Sequence, residues 1–254
     1  MPLPLLAHQA PVLPLKLWWP AAFNGTALVI GSIAPDLEYI VDNGTHAAGF
    51  GHTFGAQLYV WLPLTVLVVL LVGYLRLGEV VATRLTRLRW LTEAATDVTK
   101  QGGLRRACVS ALCGSFSHLG LDALTHTVVP SWLPLRVFHF GPISAGTPTL
   151  VQLIASTAGV LVSLWVLRQM SLQNARIAPV RRSGAWVLVL FATAGMALAL
   201  RQALPAIRHP GWYFDAGKLY VWGHTAFFIA CGLVGGVIVG AVPLALRDRR
   251  TPSV

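Results

Sequence analysis

The chain has 254 residues, of which 55% are hydrophobic and only 11% are charged, and its formal net charge is +10. A soluble domain is typically about 25% charged, so a water-exposed globule cannot hide this much apolar surface and lipid must form part of the solvent. The same composition excludes a disordered, collagen-like or coiled-coil chain.

The apolar residues fall into segments that are long enough to cross a bilayer, which takes about 20 residues. The predicted spans are 53–75, 107–129, 148–167, 184–204 and 219–246. An earlier stretch, 21–41, is interrupted by Pro35, and its helical part covers only about 14 Å, so it either crosses or re-enters. We therefore predict an all-α polytopic membrane protein with about five to six transmembrane helices, forming a single integral membrane domain over residues 1–254.

Basic residues predict the orientation of these spans. Fourteen of the 19 lysines and arginines lie in 76–106, 168–182 and 247–250, which strict alternation of the spans places on one side. Basic loops stay in the cytoplasm, so the C-terminus is expected there. Because these residues flank apolar segments, membrane topology explains the positive charge better than nucleic-acid binding does.

The third predicted span carries three ionisable residues on one face. His118, Asp122 and His126 stand four residues apart, so they follow one side of about 12 Å of helix. An ionisable residue at membrane depth costs about 2.5–3.5 kcal/mol on insertion scales, so three together indicate a bound ligand, pairing or a wet cavity. We favour a metal or catalytic site over the alternative of a hydrogen-bonded packing network.

Further candidate ligands lie at the same predicted depth, near the outer face. Asp36 and Glu38 follow Pro35, where a carboxylate can also simply cap a helix, and His52 stands at the outer mouth of the second segment. Imidazole and carboxylate groups suit Zn²⁺, with Mn²⁺ as an open alternative. His8 can join this site only if the N-terminal segment re-enters.

These motifs, in their serial order, resemble a bacterial multi-pass membrane family of unknown function. They are Ala7-His8, Val12-Leu13-Pro14-Leu15, Gly31-Ser32-x-Ala34-Pro35-Asp36-x-Glu38-Tyr39, His52-Thr53, Ser117-His118-x-x-x-Asp122-x-x-Thr125-His126, Gln152 and Ser156. The resemblance covers most of residues 5–165. The C-terminal spans, within 183–246, match only as further spans.

More distantly, the order of His, Pro-Asp, His and His-x-x-x-Asp is similar to inner-membrane metal-dependent hydrolases and to zinc-dependent phospholipase C. This similarity implies one zinc site made by Asp36, His52, His118 and Asp122, with His8 as a candidate ligand of a neighbouring metal. The phospholipase pattern continues with a later His-x-x-x-Glu, whereas this sequence has no glutamate beyond residue 93. A single-metal or degenerate site is therefore expected here.

The leading functional hypothesis is a membrane-embedded metal-dependent hydrolase that acts on a lipid or lipid-linked phosphoester at the outer face. Glu38 or His126 would move the proton, and the hydroxyls of Ser117 and Thr125 would orient the ligands. One rival is a transporter or proton-coupled carrier, although of its expected broken helices only the break near Pro35 is visible. The other is a structural membrane protein with a polar packing seam. Glycines 232, 235, 236 and 240 predict close helix packing under any of these functions.

Overall fold

The computed structural model describes residues 6–38, 50–85, 96, 99, 103–124, 137–140, 143–173, 184–208 and 217–250. Its helices there are α1 (Leu13–Trp18), α2 (Gly25–Ile33), α3 (Phe54–Leu75), α4 (Leu77–Arg84), α5 (Leu104–Asp122), α6 (Thr147–Gln173), α7 (Ala185–Arg208) and α8 (Gly217–Arg250). Short 3₁₀ turns cover Ala7–Gln9 and Ala34–Asp36. A small antiparallel pair of strands, β1 (Val137–Phe140) and β2 (Ile143–Gly146), interrupts the helices, with Val137 paired to Gly146.

Three helices of the described residues are long and apolar enough to cross a membrane: Phe54–Leu75, Leu153–Gln173 and Phe228–Arg249. Their surfaces carry large exposed apolar side chains, such as Leu67 on α3 and Ile154 on α6, which water would not favour. The chain is thus a helical protein of the membrane type. The count of five to six spans stays a prediction.

Helix α5 covers residues 107–122 of the predicted span 107–129 and is not among these three helices. Residues 125–129 lie outside the described residues, so this span stays a prediction. Two of the ionisable residues that mark this helix as a candidate site, His118 and Asp122, lie near its C-terminal end.

The N-terminal segment leaves one end of the fold and returns to it. Ser163 on α6 donates a hydrogen bond to the carbonyl of Leu6 (2.6 Å), and Leu13 packs against the C-terminal half of α6. Helix α2 then runs back, so that Asp36 at its far end lies 3.7 Å from His8. This path brings His8 close to the other candidate ligands, and whether the segment re-enters the membrane stays a prediction.

Helices α2 and α5 pack so closely that side chains are excluded from their contact. A Cβ atom at Gly114 would lie 2.5 Å from the carbonyl oxygen of Leu28, and one at Gly31 would meet the backbone of Ala111. Nearby, Ser110 accepts a hydrogen bond from the backbone N–H of Asn24, which caps α2 (2.8 Å). Small residues let the two backbones approach, and this approach fixes α2 against the middle of α5.

Glycines also bring α7 and α8 together, as their sequence predicted. A Cβ at Gly232 would meet the backbone of Gly195, and one at Gly236 would meet the carbonyl of Phe191. Gly240 lies against the Phe191 side chain. A Cβ at Gly235 would meet nothing within 4 Å among the described residues, so Gly235 does not contribute to this contact there.

A partly buried ion pair marks the basic end of the helices. The Arg84 guanidinium, on α4, donates to both carboxylate oxygens of Asp248 on α8 (2.9 and 2.7 Å). Helix α3 has 22 residues, so at 1.5 Å per residue it separates His52, before its start, from Arg76, after its end, by about 33 Å. That separation matches the thickness of a bilayer core, about 30 Å.

Candidate metal centre

Four candidate ligands from three separate segments meet at the end of the fold opposite the basic residues. Asp36, His52, His118 and Asp122 each offer one ligand atom, and these four atoms all lie within 4.8 Å of one another. His52 Nε2 lies 3.2 Å and His118 Nε2 lies 3.3 Å from Asp122 Oδ2. The same two nitrogens lie 3.7 and 3.5 Å from Asp36 Oδ1. The structure therefore brings together four of the five predicted metal ligands as a cluster that could hold a metal ion.

Local sequence explains how each segment presents its ligand. Pro35 has no N–H, so α2 ends at Ile33 and the chain tightens into the 3₁₀ turn that carries Asp36. His118 and Asp122 are four residues apart on α5 and so project from one face. His52 directly precedes Thr53, whose hydroxyl caps α3 by accepting from the N–H of Ala56 (3.2 Å).

The close crossing of α2 and α5 determines how His118 is oriented. Its Nδ1 lies 2.8 Å from the carbonyl oxygen of Ser32, and since a carbonyl only accepts, Nδ1 carries the hydrogen of this bond. Nε2 then faces Asp36, Asp122 and His52, whose Nε2 is 3.4 Å away. A histidine that ligates a metal through one nitrogen characteristically donates its other N–H to an acceptor of this kind.

The electrostatics of the cluster call for positive charge at its centre. Two carboxylates and two imidazole nitrogens converge there, and unneutralised acceptors at these distances would repel each other. Asp36 Oδ1 is buried and has no hydrogen-bond partner among the described residues. Protons on the histidines or a metal cation would both supply the missing charge. A divalent cation would reach all four ligands at once.

Burial gives the cluster one accessible side. The Asp36 and His118 side chains are 2% and 0% exposed, whereas those of His52 and Asp122 are 19% and 16% exposed. Of the four ligands, His52 and Asp122 therefore face the accessible side of the cluster.

His8 lies beside the four-ligand group but outside it. Its Nε2 is 3.7 Å from Asp36 Oδ2, whereas His52 and His118 approach the other carboxylate oxygen, Oδ1. Its ring stacks on that of His118, with centroids 4.2 Å apart and an angle of 24° between the planes. This position is compatible with the expected role of His8 at a neighbouring metal. In addition, His8 contacts both Asp36 and His118.

Of the two residues predicted to move protons, the structure describes Glu38 but not His126. Glu38 accepts a hydrogen bond from the N–H of Gly51 (2.7 Å) and so joins the Asp36 turn to the residue before His52. His126 lies outside the described residues, as does Thr125. The Ser117 hydroxyl, expected to orient a ligand, instead donates to the carbonyl of Gly114 within its own helix (2.7 Å).

Sequence reasoning missed three residues that organise the His52 loop. Gln57 and Trp61 both donate to the carbonyl of Gly51, at 2.6 and 2.9 Å. Gln57 could have been recognised from the sequence, because an amide inside an otherwise apolar span is costly to bury unless it is hydrogen-bonded. Gly51 could not have been recognised, because its importance comes from contacts with Glu38 and Pro35 that only the fold creates.

The fold and the site together define a helical membrane protein with a buried His/Asp cluster suited to a metal ion. Residues 1–240 match the family described as "Domain of unknown function (DUF4184)", and the chain belongs to that family. This result confirms the resemblance to a family of unknown function. No curated protein and no solved structure was found to match the chain. The more distant similarity to metal-dependent hydrolases stays a prediction.

Proposed function

We propose that the protein is a membrane-embedded metal-dependent hydrolase whose metal is held by Asp36, His52, His118 and Asp122. The observation that carries the proposal is the convergence of two imidazole nitrogens and two carboxylate oxygens within 4.8 Å of one another. Two nitrogen and two oxygen ligands suit zinc in four-coordinate geometry, and manganese is the alternative.

Hydrolysis at this cluster would require a bound metal together with side chains of the protein. A bound divalent metal would lower the pKa of a coordinated water and polarise a phosphoryl oxygen. Asp36 and His118 would supply the buried half of the ligand set, and His52 and Asp122 the half that a substrate can approach. Proton transfer falls to Glu38 or His126 in this proposal.

The proposed substrate is a lipid or lipid-linked phosphoester at the outer face of a bacterial inner membrane, with the C-terminus in the cytoplasm. In support, the cluster and the Arg84–Asp248 pair lie at opposite ends of the long helices, and basic residues favour the cytoplasmic side. A reporter that is active only in the cytoplasm should therefore be active when fused after Val254.

Elemental analysis by mass spectrometry of the detergent-purified protein tests the metal directly. We expect about one zinc or manganese per chain in the wild type, and its loss in His118→Ala and Asp122→Ala. Ser117→Ala is the matched control, because its hydroxyl bonds only within its helix in the described contacts, and it should keep the metal.

The second stage compares a fluorescent phospholipid with a water-soluble aryl phosphodiester in the same detergent. The proposal expects metal-dependent cleavage of the lipid. A wild type that is purified without chelator, carries no metal and takes up none when it is added would refute the proposal. The cluster would then be a proton relay, as in a carrier, or a polar packing seam.

A further inference from the structure

We infer that Gln57 is the positioning residue that holds His52 at its distance from His118. The inference rests on the proposed metal site. Gln57 lies in α3, five residues after His52, and is completely buried. Its Nε2 donates to the carbonyls of Gly51 (2.6 Å) and Thr53 (3.0 Å), the residues immediately before and after His52. One amide group therefore binds the backbone on both sides of this ligand.

The carbonyl end of the same amide reaches α5, the helix that carries both His118 and Asp122. Gln57 Oε1 accepts a hydrogen bond from the hydroxyl of Ser115. Ser115 lies on α5, three residues before His118, and so occupies nearly the same face one turn earlier. Gln57 thus bridges the His52 loop and α5 directly, with no other side chain between them.

The neighbouring contacts strengthen this bridge. Trp61, four residues after Gln57, donates its indole N–H to the carbonyl of Gly51 (2.9 Å), while Glu38 accepts from the N–H of the same residue (2.7 Å). Both polar backbone groups of Gly51 are therefore bonded to side chains from other segments. The stretch from Gln57 to Trp61 is a π-helical turn, a wider form that occurs frequently at functional sites.

The cost of burying the Gln57 amide indicates that it does more than fill space. A primary amide within an apolar helix is costly to bury, and an apolar side chain of similar volume would pack there at less cost. Gln57 offsets that cost with bonds that all converge on the His52 loop and on α5. Groups that orient metal ligands in this way typically change metal affinity about 10- to 100-fold when they are removed.

Competition with a chelating dye, performed on the full chain in detergent, measures the expected effect. Gln57→Met keeps the volume but removes every bond of the amide, and we expect zinc to bind about 10- to 100-fold more weakly. The visible absorption spectrum of the cobalt-substituted protein should change as well, because His52 would shift relative to the other ligands. Ser115→Ala removes one end of the bridge and should produce a smaller loss.

A matched control separates positioning from general stability. Thr65 lies on the same helix as Gln57, about two turns farther from the cluster, and is equally buried. Thr65→Val removes a buried hydroxyl at nearly constant volume, and it should leave zinc affinity and the cobalt spectrum unchanged whatever its effect on the melting temperature. The double variant Gln57→Met/Ser115→Ala should bind zinc no more weakly than Gln57→Met alone, because both changes remove the same link.

The possible failures are distinguishable. A wild type that binds neither zinc nor cobalt overturns the proposed function and this inference with it. A wild type that binds both, with Gln57→Met binding equally well and with an unchanged spectrum, overturns the inference alone. If Gln57→Met does not fold, Ser115→Ala decides the question, and wild-type affinity in that variant counts against the bridge.

Discussion

Alanine at Gly114 should separate α2 from α5 and thereby disturb the metal centre, although Gly114 is not a ligand. The new Cβ would lie 2.5 Å from the carbonyl oxygen of Leu28 and 2.8 Å from the backbone nitrogen of Ser32. Ordinary van der Waals contact begins at 3.4 Å, so the helices must move apart by about 0.9 Å at Leu28. Both obstacles are backbone atoms, which cannot rotate away as a side chain can.

The expected cost follows from two opposing terms. Overpacking a well-packed contact costs about 1–3 kcal/mol, and a rigid backbone favours the upper end of that range. Alanine in place of glycine inside a helix stabilises the helix by about 1 kcal/mol. We therefore expect Gly114→Ala to lower the free energy of unfolding by about 2 kcal/mol. The same separation should stretch the 2.8 Å contact between His118 Nδ1 and the Ser32 carbonyl and reduce metal affinity about 10-fold or more.

Gly120→Ala provides the comparison on the same helix. A Cβ at Gly120 would meet nothing within 4 Å among the described residues, so this variant should be as stable as the wild type or slightly more stable. Denaturation in detergent and zinc competition measure the two effects separately. If Gly114→Ala is as stable as Gly120→Ala, the packing argument is wrong. A loss of stability with unchanged zinc affinity would show that the helix crossing does not orient His118.

Three further outcomes are expected. Arg84→Met should destabilise the protein by about 2 kcal/mol while leaving zinc affinity unchanged, because it removes two charge-assisted hydrogen bonds to the partly exposed Asp248, far from the cluster. Thermal unfolding that matches the wild type would contradict this. Gly236→Ala should lower the melting temperature because its Cβ would meet the backbone of α7, whereas Gly235→Ala should not, and equal effects would contradict the assigned contact. Zinc should dissociate on acidification, since histidine and carboxylate ligands bind metals only when deprotonated. Dye competition across a pH series measures this effect, and a zinc affinity that does not fall at low pH would contradict it.

The sequence predicted several features of the site because they depend on local spacing. His118 and Asp122 share a face wherever a helix forms, since that face follows from a four-residue separation. Pro35 could be expected to end α2 because it lacks an N–H and cannot continue the helical bonding. Glycines at 232, 236 and 240 likewise marked a close contact, although Gly235 shows that the sequence does not say which glycine faces the neighbour.

By itself, the sequence therefore determined the class of the protein and most of the candidate ligands. An apolar composition with few charges leaves helices in a membrane as the solution, and ionisable residues within such helices indicate a site. Only the tertiary structure decided that His8 returns to Asp36, that the Ser32 carbonyl orients His118, and that Gln57 joins the His52 loop to α5. These contacts join residues far apart in the chain, and their geometry depends on how closely whole helices approach, which no local pattern encodes.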